Sequence, residues 1–155
     1  MKGDTDSPQV IALPPLIFLG AIFAGFIIDL IVARPFIPEA YDLPVGWALI
    51  ALSIALMMWS VRTFGKAGTN VDVRKPSTTV VSDGPYAYSR NPIYLAMAFF
   101  TVGAAIWLNS LWIIGALIVV LIVINDGVIV REETYLEKKF GKKYLEYKGK
   151  VRRWM

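Results

Sequence analysis

Four long apolar runs divide the chain, at 13–32, 45–61, 92–108 and 111–130. The first carries a single charge, Asp29, and the fourth a single charge, Asp126; the two between carry none. A helix that crosses a bilayer needs roughly 20 apolar residues, within a range of about 17–25. The pattern therefore predicts an all-α polytopic membrane protein, a single integral-membrane domain over 1–155 with four transmembrane helices. Helices this apolar on every side would leave a water-soluble fold nothing to show to solvent. Only Asn109 and Ser110 separate the third run from the fourth, so these two are expected to form a tight antiparallel hairpin.

Two polar segments remain. The loop 62–91 is long for a connection without structure of its own, and such loops are often functional. Within it 78–81 reads as a short extended piece, Gly84 and Pro85 mark a turn, and Pro92 opens the third helix. The tail 131–150 reads as an amphipathic helix. Leu136, Phe140, Tyr144, Tyr147 and Val151 recur at helical spacing on one face, lysines fill the other, and Gly141 marks a bend. On periodicity alone this face suits a helix lying on anionic lipid. Pro14 and Pro15 open the first helix, and Gly20, Ala21, Ala24 and Gly25 offer small-residue spacing for close helix contact. Trp47 and Trp59 near the ends of the second run, and Tyr94 and Trp107 near the ends of the third, read as interfacial belts. No internal repeat or low-complexity tract is visible.

Composition agrees: 56% of the 155 residues are hydrophobic and the mean hydropathy is +0.55. The leader MKGDTDSPQV holds two aspartates against one lysine, which is unlike a signal peptide, so the first span is expected to be retained. Charge adds an orientation. With four spans, fifteen of the sixteen lysines and arginines fall on one side, Arg34 alone on the other. The positive-inside rule places the fifteen, with both termini, in the cytoplasm. It also sets the middle loop beside the tail, in an inner, plasma or endoplasmic-reticulum-type membrane. No cysteine or histidine is present. Disulfides, thiolate nucleophiles, imidazole bases and the usual zinc ligands are excluded, and no metal site is expected. Chemistry is left to carboxylates, arginine, lysine, tyrosine, amides and backbone.

The segment GPYAYSRNPIYLA at 84–96, then a helical hairpin, then REETYLEKKFGKKYLEYKGKVRRW, carry a family pattern in order. The pattern is GPY; arginine with histidine or asparagine, proline, a residue and tyrosine; arginine with two glutamates and a leucine; FG; spaced tyrosines; and V-x-R. Over 68–154 the chain resembles the isoprenylcysteine carboxyl methyltransferases and their phospholipid methyltransferase relatives. The first two spans match only as generic membrane helices. Asn91 stands where many relatives have histidine, Ala87 where a polar residue is frequent, and Val73 where some have proline. The resemblance implies S-adenosylmethionine as methyl donor, bound between the third and fourth helices, the loop before them and the tail. There is no G-x-G-x-x-G loop, so such binding would not be of the Rossmann kind.

Each part of that donor asks for a residue type. Its carboxylate suits Arg90 and the backbone N–H groups of Ile93 and Tyr94. Its ammonium and ribose diol suit Glu132 and Glu133. Its sulfonium and adenine suit the rings of Tyr86, Tyr88, Tyr94, Tyr144 and Tyr147. The motif adds Gly84, Pro85, Asn91 and Leu95 to the cofactor set. Arg90, Glu132 and Glu133 are the catalytic candidates; Asp126, Arg152 and Arg153 are the candidates for holding substrate. The acceptor expected is lipophilic and membrane-resident, a prenylated-cysteine-like carboxylate or a lipid amine. A carboxylate needs no base, whereas an amine needs one, for which Glu132 or Glu133 would serve. The partners expected are the lipid bilayer and this substrate, with no nucleic acid and no obligate protein partner. Two other readings stay open: a membrane-bound NADPH-dependent reductase of the sterol-reductase kind, whose C-terminal region is similar, and a non-catalytic protein whose basic tail binds lipid headgroups.

Overall fold

The computed structural model describes residues 7–8, 10–72 and 75–155. Lys2, the leader residues 1–6 and 9, Val73 and Arg74, which entered the reading of charge and motif, lie outside the described residues. Six α-helices are found among those described: α1 (Pro14–Ile31), α2 (Glu39–Lys66), α3 (Pro92–Trp107), α4 (Leu111–Ile124), α5 (Val130–Phe140) and α6 (Lys142–Lys150). No strand occurs among them, and 78–81 stays irregular.

Three helical segments are long and apolar enough to cross a membrane: Pro14–Ile31, Glu39–Lys66 and Leu111–Phe140. Pro92–Trp107 is apolar but shorter. At 1.5 Å per residue its 16 residues reach about 24 Å. Two boundaries differ from the sequence expectation. α2 begins six residues before the apolar run, because Glu39 and Asp42 in its first turn suit the helix dipole. It ends at Lys66, just before Gly68 at φ +67°. The fourth apolar run does not stop at 130 either. α4 passes through a π turn, Asn125–Ile129, directly into α5. Hydropathy marks the apolar part of a helix, not where its hydrogen-bond ladder stops.

α3 is the central helix, packed on α1, α2 and α4. Its buried face is mostly small: Ala96, Ala98, Gly103, Ala104 and Ala105. A Cβ on Gly46 of α2 would lie 2.7 Å from the Trp107 backbone nitrogen, and one on Gly103 would lie 3.0 Å from the Gly46 carbonyl oxygen. A Cβ on Gly25 of α1 would meet the Ile113 backbone of α4 at 2.7 Å. Of the four small residues on α1, Ala21 and Gly25 face inward; Gly20 and Ala24 are exposed. A core cluster of Phe18, Tyr94, Leu117, Val120, Ile124 and Ile129 joins α1, α3 and α4, with Trp154 of the C-terminus packed against it.

One end of the bundle is tied by Asn109, which takes φ +48° between α3 and α4, a conformation asparagine tolerates. Its Oδ1 accepts from the N–H groups of Phe36 and Ile37, and its Nδ2 donates to the Ile37 carbonyl. Trp112 Nε1 donates to the Val32 carbonyl, and Asp29 accepts from the Arg34 N–H. The opposite end, where α2 and α4 finish and α1 and α3 start, carries the loop 67–91 and the tail.

Candidate active site

The motif 84–96 folds as a tight turn and then a helix start. Gly84 sits at φ +58°, and a Cβ there would lie 2.9 Å from Thr63 Oγ1, so glycine meets both the backbone and the space requirement. A 3-10 turn, Gly84–Ala87, then buries Tyr86, whose ring lies 4.8 Å from that of Phe64. Beyond it the chain meets the C-terminus. The Arg90 N–H donates to the Arg152 carbonyl at 3.0 Å, and Asn91 Nδ2 donates to the Arg153 carbonyl at 3.0 Å. Ser89 Oγ donates to that same carbonyl. Asn91 thus serves as a tether to the tail and makes no side-chain cap on α3.

The tail reaches this point by bending at Gly141, at φ +50°. Its α5 and α6 are two helices, not one. The fold back turns Leu136, Tyr144 and Tyr147 toward an internal cavity, away from the lipid-facing arrangement that periodicity alone suggested. Tyr147 donates through its hydroxyl to the Tyr86 carbonyl at 2.8 Å.

Glu133, 5% exposed, is the charge hub. Arg153 grips both its oxygens, Nε on Oε1 at 3.0 Å and Nη2 on Oε2 at 2.7 Å. Arg90 Nη2 lies 3.2 Å from Oε1, and Lys148 Nζ lies 3.8 Å from Oε2. The remaining Arg153 nitrogen, Nη1, donates to Asn125 Oδ1 at 3.0 Å, at the start of the π turn. A carboxylate this buried is tolerable because it is paired and hydrogen-bonded. Glu132, the preceding residue, is paired differently: its Oε1 accepts from the Tyr94 hydroxyl at 2.6 Å. Tyr94 is therefore buried and polar-paired, not an interfacial belt residue. Trp47, Trp59 and Trp107 are exposed, as belts require.

Around these groups lies a cavity of about 350 Å³. Of the residues singled out by sequence, Tyr86, Arg90, Asn91, Ile93, Tyr94, Glu132, Glu133, Tyr144 and Tyr147 line it. Gly84 and Pro85 form the turn behind Tyr86 without lining it. Leu95 is half-buried away from it, and Tyr88 points outward, 74% exposed. Arg152 is exposed and contributes only its carbonyl, while Asp126 is exposed and accepts from Asn125 Nδ2. The second wall was not foreseen residue by residue. It comes from the loop, with Asn70, Asp72, Lys75, Ser77 and Val81, together with Phe64, Met97 and Tyr135. Tyr135 anchors that wall by accepting from the Ser77 N–H at 3.2 Å, and Thr78 bonds back to Thr69 and Gly68. Loop length was its only sequence signal.

Buried polar atoms of residues in the cavity wall are left over. Arg90 has a side chain only 9% exposed, yet its Nε and Nη1 have no hydrogen-bond partner among the described residues, nor does the Tyr86 hydroxyl. Buried polar groups are nearly always satisfied, which sets these atoms apart from the rest of the interior. The phenols are held neutral. Burial, with Glu133 nearby, pushes the Tyr144 hydroxyl up to about 12, and the Arg90 charge opposes this. Burial raises Tyr86 and Tyr147 further still. The Glu133 hydrogen bond holds the Arg153 guanidinium above its ordinary value. None of the three tyrosines is a base near neutral pH. Among the described residues no acidic cluster is arranged to hold a metal ion.

A second cavity, about 390 Å³, lies between α1, α2 and α3. Phe18, Leu19, Ile54, Met58 and Phe100 line it, and it shares Pro15 and Met97 with the first. Its two hydroxyl side chains are already spent on backbone carbonyls, Ser53 on Ile50 and Thr101 on Met97, so the wall offers hydrocarbon. Together the cavities present a charged, aromatic-lined end and an adjoining oily end.

A family model described as phospholipid methyltransferase matches residues 41–143. The match takes in most of α2, which the motifs had left generic, and stops one residue before Tyr144. A protein of Haemophilus influenzae (strain ATCC 51907 / DSM 11121 / KW20 / Rd), described as "Uncharacterized protein", is 50% identical over 64 residues, 41% of this chain and all of that one. No solved structure matches the chain.

Proposed function

From the premise that this chain belongs to the phospholipid methyltransferase family, a family of membrane methyltransferases, we propose that it moves a methyl group from S-adenosylmethionine to a lipophilic acceptor held in the membrane. The observation that carries this reading is the buried Arg90 guanidinium in the cavity wall, two of whose nitrogens have no hydrogen-bond partner among the described residues. A carboxylate is the group such a donor set accepts best, and S-adenosylmethionine ends in one.

The rest of the cavity fits the same guest. Tyr86, Tyr144 and Tyr147 offer ring faces to a cation and to adenine. Glu132 and Glu133 place negative charge at the same wall for an ammonium or a ribose diol. When bound, the donor supplies an activated methyl on a sulfonium. The protein's own part is to hold, align and keep dry, since in-line transfer depends on alignment and exclusion of water. The loop wall and the tail together would exclude that water.

The acceptor's hydrocarbon would lie in the apolar cavity, with its reactive head at the junction by Pro15 and Met97. A carboxylate head, as in a prenylated cysteine, needs no proton removed. An amine head does, and Glu132 is the residue placed for it: Glu133 is committed to two arginines and a lysine, and the phenols are too weak as bases. In this reading α3 is a fourth, short span, and loop, tail and both termini lie in the cytoplasm, where the donor is dissolved. The test is calorimetric titration of the purified protein in detergent with S-adenosylhomocysteine, paired with transfer of labelled methyl into a lipid extract. Saturable binding and label in the organic phase are expected; absence of both overturns the reading.

A further inference from the structure

Arg153 has the look of an anion hook, but all three of its nitrogens are already engaged, two on Glu133 and one on Asn125. The geometry points to a different role: Arg153 is a positioning residue that occupies Glu133 so that Arg90 stays free to read the carboxylate end of the methyl donor. This inference rests on the proposed donor.

The argument is one of competition for a single carboxylate. Arginine and carboxylate prefer a two-point, fork-to-fork pairing. Glu133 gives that pairing to Arg153, at 2.7 and 3.0 Å. Arg90 reaches Glu133 through a single nitrogen, Nη2 at 3.2 Å from Oε1, with the Tyr144 hydroxyl also beside its guanidinium, while its Nε and Nη1 have no hydrogen-bond partner among the described residues. The Arg153 clamp is itself fixed at two further points. Its carbonyl accepts from Asn91 and Ser89, and its Nη1 is tied to the π turn. The same segment holds the Arg90 backbone through the Arg152 carbonyl. Without Arg153, Glu133 regains an oxygen and can draw Arg90 into the two-point pairing, turning it away from the guest. A residue near the C-terminus that need not touch the donor thus sets how one end of the donor is recognised.

Two probes isolate that end. S-adenosylhomocysteine carries the amino acid carboxylate; 5′-methylthioadenosine has the same nucleoside and thioether without it. Dissociation constants for both are measured by calorimetry on the full chain in detergent, for wild type, Arg153→Met and Arg153→Lys. Arg153→Lys keeps the charge beside Glu133 and loses the two-point grip, so it is the milder variant should Arg153→Met fold poorly. Both variants are expected to weaken S-adenosylhomocysteine about tenfold and leave 5′-methylthioadenosine within about twofold. Added to Arg90→Met, neither should change the ratio further, because residues acting through one another are not additive. Equal weakening of both probes would mean that Arg153 only supports the fold, and no weakening of either would mean it is dispensable; each overturns the inference alone. A wild type that binds both probes equally overturns the inference alone, whereas one that binds neither and transfers no methyl removes the donor reading and this inference with it.

Discussion

Arg90 and Glu132 lie on the same cavity in opposite circumstances, and their substitution should be felt differently. Arg90 offers buried N–H groups with no internal partner. Hydrogen bonds to a charged group contribute about 1.5–3 kcal/mol, so Arg90→Ala should weaken S-adenosylhomocysteine by ~10–100-fold, read by titration calorimetry. Glu132 accepts a hydrogen bond from the Tyr94 hydroxyl. Glu132→Gln keeps that acceptor and removes the base. Methyl transfer to an amine acceptor should then fall by roughly 10²–10⁴, the usual contribution of general base catalysis, while transfer to a carboxylate acceptor should barely change. Assaying both acceptors with the one variant would identify the acceptor class. Legibility at this scale was uneven. Arg90, Glu132 and Glu133 stood out because they fall on the ordered family motifs and match the charged ends of the donor those motifs imply. The loop wall did not stand out, because Asn70, Ser77 and Val81 are ordinary loop residues until Tyr135 and Thr69 fold them over the cavity.

Helices here approach closely because small residues let them. Gly46→Val would push a methyl-bearing Cβ into the Trp107 backbone, 2.7 Å away, and overpacking of this kind costs about 1–3 kcal/mol. Gly20→Ala meets nothing within 4 Å and should leave stability unchanged or slightly raised. Urea or thermal unfolding in detergent, followed by circular dichroism, separates the two. The spacing motif on α1 was visible in sequence, but which of its residues face α4 was not, since an apolar helix has no polar face to announce its orientation. The α3–α4 connection behaves similarly. Its two-residue length was plain, yet the role of Asn109 follows from partners 72 and 73 residues away in the chain. Asn109→Ala loses those bonds and the tolerated left-handed backbone, and should destabilise by ~1–3 kcal/mol in the same unfolding assay.

Across the whole molecule, charge is laid out along one axis. The end held by Asn109 carries Arg34, and the end with the cavity carries the loop and tail lysines and arginines. This predicts which end faces the cytoplasm, and a chain without cysteine makes it directly measurable. In intact cells a membrane-impermeant maleimide should label Pro35→Cys, and should label Ala87→Cys only after lysis; both positions are exposed. The reverse pattern would refute the orientation. The cavity at the basic end is built from segments far apart in sequence, α1 and α2 contributing to it as well as the motifs.

The apolar helices, the asymmetry of charge, the absence of thiol and imidazole chemistry, and the family could all be read from residue order, because length, charge and ordered motifs are properties of the chain read along its length. Tertiary structure alone decided that α4 continues into α5 through a π turn, that the tail folds inward at Gly141, that Arg153 is spent on Glu133, and that Arg90 is left with nitrogens to spare. These depend on which groups compete for the same partner in space. A single carboxylate shared among two arginines and a lysine has no signature in the order of residues; its outcome is set by distance and by the geometry of the two-point pairing.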